Sequence, residues 1–122
     1  MSTPPATFRP ADRLRRASEF DRVYQQNYYA ADAVLVVQGS ANTLSRTRLG
    51  LSVSRRVGNS VLRNRWKRLI REAFRTQRAM LPVGLDVVAR PRRGAEPDFA
   101  AIARSLPRLL RRLQQQIAKA PP

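Results

Sequence analysis

Residues 48–90 constrain the fold more than any other stretch. RLGLSVSR (48–55) alternates Leu49, Leu51 and Val53 with Gly50, Ser52 and Ser54, the two-residue period of a strand with one buried face. A helical pattern follows from about Ser60 to Met80. Val57-Gly58-Asn59-Ser60 supplies the turn before it, Asn59 or Ser60 can cap it, and Pro82 and Gly84 end it. LDVVAR (85–90) then forms another apolar strand. A strand, a long helix and a strand in so short a span predict a sheet with a helix lying on it.

The flanks extend this pattern. Leu14, Ala17, Phe20, Val23 and Tyr24 recur at three- and four-residue spacing, which predicts a helix from Arg13 to Gln26. Pro10 fits its start, with Asp12 or Ala11 near the cap position. Asn27 and the following YYAAD form the exit loop. AVLVVQ (33–38) is a short buried strand, and GSANTLSRT after it is a loop. The last helix runs from about Asp98 to Ala118, with Phe99, Ile102, Ala103, Leu106, Leu109, Leu110, Leu113 and Ile117 on its apolar stripe. Pro107 inside it predicts a kink or a break. The expected order is α-β-β-α-β-α, with room for a further short strand around Arg92–Ala95. This is a small α+β fold, an α/β sandwich. The 122 residues make one domain, placed at residues 9–119, with flexible termini at 1–8 and 120–122.

Composition removes most catalytic chemistry. The chain has no His and no Cys, which excludes Ser-His-Asp and Cys-His catalysis, Cys/His zinc sites, disulfides and thiol redox chemistry. Its eight carboxylates are scattered. The closest pairs, Glu19/Asp21 and Glu96/Asp98, are two apart and point to different faces of a helix or strand. The expectation is no catalytic residue and no metal ligand on the protein. No apolar run approaches the ~20 residues that span a bilayer, and MSTPPATFRP lacks a signal-peptide core. A soluble cytoplasmic protein without a membrane partner is expected.

Charge gives the positive clue. Twenty-four Lys+Arg face eight Asp+Glu, a net +16. All the basic residues but Lys67 and Lys119 are Arg, whose planar fork binds phosphate with two hydrogen bonds and stacks on bases. A polyanion that neutralises this charge is expected, with nucleic acid the first candidate and an anionic membrane surface the second. At about 100° per residue, Leu62, Trp66, Leu69, Ile70 and Ala73 share one arc of the basic helix. Asn64, Lys67, Arg68, Arg71, Arg75 and Arg78 share another. Arg63 lies at the boundary, and Arg65 on the far flank. Solvated helix faces usually mix signs at four-residue spacing, but Arg63, Lys67 and Arg71 repeat one sign. Such a stripe costs helix stability until a polyanion meets it. Free N–H groups after Gly58 and Asn59 add an anion site at the helix start.

A second surface is less settled by pattern. The Gly50, Ser52, Ser54 face of the strand carries only small groups. It leaves room either for a closely packed helix or for a ligand lying on the sheet. Phe20 and Tyr24, one turn apart on the first helix, are either core residues or stacking platforms for unpaired bases.

RLGLSVSRRVGNSVLRNRWKRLIREAFR (48–75) closely resembles the signature of the bacterial ribonuclease P protein family. Arg63-Asn64-Arg65 followed by Lys67-Arg68-Leu69-Ile70-Arg71-Glu72 is its most specific part. The resemblance extends to LRRASEFDRVY (14–24), LDVVAR and the final helix. It implies a ribosomal-protein-like domain with a left-handed βαβ crossover. It also implies a partner, the ribonuclease P catalytic RNA, and a substrate, precursor tRNA. In that family the ribonucleoprotein removes the 5′ leader by phosphodiester hydrolysis. The RNA is catalytic and holds the Mg²⁺, and no further protein is required. On this resemblance Arg56, Arg63, Asn64, Arg65, Lys67, Arg68, Arg71 and Arg75 contact the ribozyme RNA. Phe20, Tyr24, Ser52 and Arg55 belong to the cleft that takes the leader. Trp66 stands where an aliphatic residue is usual, and Val36 where some members carry an aromatic cleft residue.

Overall fold

A computed structural model describes residues 8–120. Of the ends expected to be flexible, 1–7 and 121–122 fall outside it, whereas Phe8 and Ala120 are described. Three helices, α1 (Ala17–Gln26), α2 (Ser60–Gln77) and α3 (Phe99–Lys119), accompany four strands. The strands are β1 (Tyr28–Ala31), β2 (Leu35–Ala41), β3 (Arg48–Leu51) and β4 (Leu85–Pro91). They form one sheet in the order β1-β2-β4-β3. β1 and β4 each run antiparallel to β2, and β3 runs parallel to β4. β3, α2 and β4 are the strand, helix and strand that residues 48–90 predict, and the parallel pairing of β3 with β4 makes them the βαβ unit that the resemblance implies.

Alternation along the strands divides the core. Leu35, Val37, Leu49, Leu85, Val87 and Ala89 face α2 and α3, where they meet Trp66, Ile70, Phe74, Ile102, Leu106, Leu110 and Leu113. Val88 faces the other way, into a smaller cluster with Leu14, Phe20 and Val23 under α1. Gly39 lies within β2 because α3 presses there: an added Cβ would sit 2.8 Å from Leu113 Cδ1. β2 therefore runs through Gly39-Ser40-Ala41, which pattern assigned to a loop.

Three further boundaries differ from expectation. The segment before α1 is not helical. Pro10–Asp12 is a 3-10 turn, Arg13 bridges Leu49, and the Leu14 N–H donates to Leu49 O at 3.1 Å. α1 starts at Ala17 because the Glu19 carboxylate accepts from the Arg15 and Arg16 N–H groups, both at 2.8 Å. Second, the fourth strand is Tyr28–Ala31, inside the expected exit loop, and not Arg92–Ala95, which forms a turn. Asn27, at φ 60°, reverses the chain in one residue. Third, β3 ends at Leu51. Ser52 N–H still reaches Ala89 O at 3.0 Å, and Arg55–Val57 is a 3-10 turn.

Pro107 neither breaks α3 nor leaves an orphan. α3 runs unbroken from Phe99 to Lys119. Without an N–H at Pro107, the carbonyl of Ala103 loses its helical donor. Gln77 Nε2 at the end of α2 supplies one at 3.0 Å. Gln77→Ala is expected to destabilise the fold by about 1–2 kcal/mol, as for a half-buried carbonyl left unpaired. Urea unfolding of the two proteins checks this, and equal midpoints would refute it.

Both sheet edges are covered. On β1, Gln116 Oε1 accepts from Tyr29 N–H at 3.3 Å and Gln116 Nε2 donates to Tyr29 O at 2.7 Å. On β3 the Arg13–Leu14 segment takes the edge position. Among the described residues no helix is long and apolar enough to cross a membrane.

Candidate nucleic-acid interface

The site depends on how α1 is fixed to the sheet. Arg48 on β3 holds buried Asp86 of β4 with two hydrogen bonds, Nε to Oδ1 at 2.8 Å and Nη2 to Oδ2 at 2.7 Å. Its third arm, Nη1, donates to Glu19 Oε2 at 2.7 Å. Asn42 Nδ2 completes Asp86 at 2.8 Å. The same Glu19 caps α1, so the network joins the first turn of α1 to the sheet. The bonds to Asp86 hold the Arg48 guanidinium above its ordinary value. The Arg16 and Arg15 N–H groups, followed by Arg48, hold the Glu19 carboxyl below its own.

This anchoring places Phe20 and Tyr24. Phe20 lies over Gly50, where an added Cβ would stand 2.6 Å from its Cζ. A glycine is therefore required on the small-residue face of β3, and a helix does pack there. Phe20 is half-buried, whereas Tyr24 is 41% exposed. Beyond α1 the sheet is open. Register sets Tyr29 beside Gln38, Gln38 beside Val88, and Val36 beside Arg90. Arg90 Nη1 donates to Gln38 Oε1 at 2.8 Å. An open groove of about 890 Å³ continues from this floor, lined by Tyr29, Val36, Ser54, Arg56, Arg90, Arg92 and Arg93 among others. Ser52 is half-buried where β3 ends. Arg55 is exposed on the 3-10 turn and not on a strand, and its neighbour Arg56 forms part of the groove wall.

α2 presents the other surface. Asn59 Oδ1 caps it by accepting from Leu62 N–H at 2.9 Å. Trp66, Ile70, Ala73 and Phe74 are buried; Asn64, Arg65 and Arg68 are exposed; Arg63, Lys67, Arg71 and Arg75 are half-buried. Arg75 pairs with Glu72, its Nε donating to Oε2 at 3.0 Å. The Nε of Arg63 is buried without a hydrogen-bond partner among the described residues. Burial, followed by the nearby charge of Arg13, pushes Arg71 below its ordinary value. Arg13 sits over the Phe8 ring at 5.0 Å, and Phe8 meets Phe74 edge-on at 5.6 Å. Arg13 thus joins the stripe from another segment.

The residues that the resemblance assigns to the two sets therefore lie on two surfaces, except Arg56, which belongs to the α2 set but lines the groove. Arg13, Tyr29, Gln38, Arg90, Arg92 and Arg93 were not assigned to either. A polar residue on an apolar strand was the available signal for Gln38 and Arg90. Tyr29 gave none, because its strand is only four residues long.

Known proteins resemble this chain in sequence and in fold. The family model described as Ribonuclease P matches residues 8–114. The ribonuclease P protein component of Caldanaerobacter subterraneus is 40% identical over 101 residues, 82% of this chain and 87% of that protein. The ribonuclease P protein of Thermotoga maritima, solved with 1-(4-fluorophenyl)-2-thiourea, superposes with a TM-score of 0.76 at 32% identity. That match covers 82% of this chain and 98% of the other. The Staphylococcus aureus protein gives a TM-score of 0.71 at 32% identity, covering 88% and 95%. An anchored α1 beside an open sheet, a guanidinium stripe on α2, and likeness in sequence and fold over nearly the whole chain lead to one conclusion: the chain belongs to the ribonuclease P protein-component family.

Proposed function

We propose that this chain is the RNA-binding subunit of a bacterial ribonuclease P, active in the cytoplasm as a ribonucleoprotein with a catalytic RNA. α2 binds that RNA through Arg63, Asn64, Arg65, Lys67, Arg68, Arg71 and Arg75, with Arg56 at the junction of the two surfaces. The open sheet beside α1 holds the single-stranded 5′ leader of precursor tRNA. Phe20, Tyr24 and Ser52 border it on one side, and Arg55 lies on the 3-10 turn that forms its wall. Where Val36 offers no ring, Tyr29 on the adjacent strand offers one. The observation that carries this reading is the floor on which exposed Tyr29 lies beside half-buried Gln38 and Arg90, with exposed Tyr24 on α1, where aromatic faces stack on bases and guanidinium groups meet phosphates.

Hydrolysis of the phosphodiester belongs to the RNA in this reading. The carboxylates do not fit a Mg²⁺ site on the protein. Asp12, Glu19, Asp32, Glu72 and Asp86 each pair with Arg, Asp98 caps α3, and the other two, Asp21 and Glu96, belong to no cluster of three acidic side chains among the described residues. Mg²⁺ is accordingly assigned to the RNA. The protein neutralises RNA phosphates and lowers the Mg²⁺ needed for folding and cleavage. It also favours precursor over mature tRNA by holding the leader.

The test is reconstitution with a bacterial ribonuclease P RNA and 5′-labelled precursor tRNA at low Mg²⁺. Leader removal only with both partners is expected. RNA binding without stimulated cleavage would instead indicate an RNA chaperone or ribosomal protein. Tyr24→Ala, at an exposed position, is expected to weaken precursor binding about 5-fold or more, the loss of one stacked base. Mature tRNA binding should not change, and equal losses for both would overturn the cleft assignment.

A further inference from the structure

The acidic residues of the chain are largely consumed by folding, and this leaves a second face of uniform sign. α3 (Phe99–Lys119) contains no Asp or Glu. At about 100° per residue, Arg104, Arg108, Arg111, Arg112, Gln115 and Lys119 fall within an arc of about 100°. The arc lies opposite Ile102, Leu106, Leu110 and Leu113, which are buried against the sheet. All six of its residues are exposed. Arg108 has one loose ion pair, with Asp32 at 3.6 Å, and Arg112 Nη1 donates to Ala31 O at 3.3 Å. Arg104, Arg111 and Lys119 have no ion pair among the described residues. Arg104 and Arg108, and again Arg108 and Arg112, repeat one sign at four-residue spacing, which costs helix stability. Over the ~22 Å from Arg104 to Lys119, at 1.5 Å per residue, only the loose pair of Arg108 with Asp32 offsets it among the described residues.

This face and the α2 stripe lie at opposite edges of the sheet. α3 reaches edge strand β1 through Arg112 and Gln116. The α2 stripe reaches the β3 edge, where Arg71 feels the charge of Arg13 and Arg13 bridges Leu49. A lipid surface fits α3 poorly, because its apolar face is already spent on the core and a membrane-lying helix needs that face free. A phosphate backbone asks only for the exposed guanidinium groups.

We propose that the outer face of α3 is a second RNA-binding surface, which engages phosphates of a segment of the ribonuclease P RNA other than the one lying on α2. The protein then bridges two parts of the RNA. This rests on the RNA-binding reading above.

The test compares the full chain with the triple variant Arg104→Gln, Arg111→Gln, Lys119→Gln, which breaks no native pair. Binding to ribonuclease P RNA is titrated against salt, and the bound RNA is footprinted. Loss of three phosphate contacts should flatten the slope of log K against log salt by about 2. Protection should disappear at a segment that Arg65→Ala, Lys67→Ala, Arg68→Ala leaves protected. An unchanged slope, with the α2 variant impaired, overturns the α3 surface and leaves the RNA-binding reading standing. Loss of the same protected segment in both variants overturns the bridge. Unchanged RNA binding with lost adsorption to phosphatidylglycerol vesicles overturns it in favour of a lipid surface. If the wild-type chain does not bind the RNA at all, the reading beneath it fails.

Discussion

Asp86→Ala is expected to remove about 3–5 kcal/mol of folding stability, as for a buried ion pair deprived of one partner. Asp86 is 1% exposed and accepts from Arg48 twice and from Asn42 once. Its loss leaves a guanidinium whose side chain is only 20% exposed facing a gap. The partial neutralisation that Glu19 still offers is also only 20% exposed and engaged in capping α1. The effect exceeds that of a surface ion pair, which seldom reaches ~1 kcal/mol. Urea denaturation followed by circular dichroism measures it, and a loss below 1 kcal/mol would show the network to be no stronger than a surface pair. Arg48→Met combined with Asp86→Leu should recover part of the loss, because paired removal leaves no lone charge. Any folded Asp86→Ala protein should also bind precursor tRNA less well, since the network positions α1 and with it Phe20 and Tyr24.

The parts of this fold that show in the sequence are those whose causes are local. α2 and α3 have long apolar periods and side-chain caps at Asn59 and Asp98, so neighbours in sequence decide them. β1 does not show, because four residues carry little period and its start depends on the single left-handed residue Asn27. The Arg13–Leu14 segment has a helical pattern but pairs instead with Leu49, thirty-odd residues away. Pro107 predicts a break that a side chain from another helix repairs. The same division holds at the site. A helix period alone brings the α2 stripe together, so it shows in sequence. The groove floor is assembled by strand register, which sets Tyr29 beside Gln38 and Val36 beside Arg90, and no spacing in the chain announces it. Phe20 is legible only as an alternative, core or platform. Gly50 explains why it is partly both: the ring needs a floor without a Cβ to lie on.

Arg65→Ala, Lys67→Ala, Arg68→Ala should reduce affinity for ribonuclease P RNA by about 100-fold or more at moderate salt, taking ~1 kcal/mol for each exposed phosphate contact. If the α2 surface neutralises about six phosphates, it contributes about −4 to −5 to the slope of log K against log salt, and the variant should lose about 2 of that. Preference for precursor over mature tRNA should persist in whatever complex forms, because the groove beside α1 is untouched. Folding should respond in the opposite sense. Arg65 and Arg68 are exposed, and the three changes remove like-charge neighbours at Arg65/Arg68, Arg63/Lys67 and Lys67/Arg71. The one opposite-sign spacing lost is that of Arg68 with Glu72, whose carboxylate is held by Arg75, and Ala is the better helix former. The thermal midpoint is therefore expected to stay or rise while RNA binding falls. A variant that lost both together would owe its binding defect to misfolding. A gain in stability with a loss of binding would identify the stripe as charge held against its own repulsion for an RNA partner.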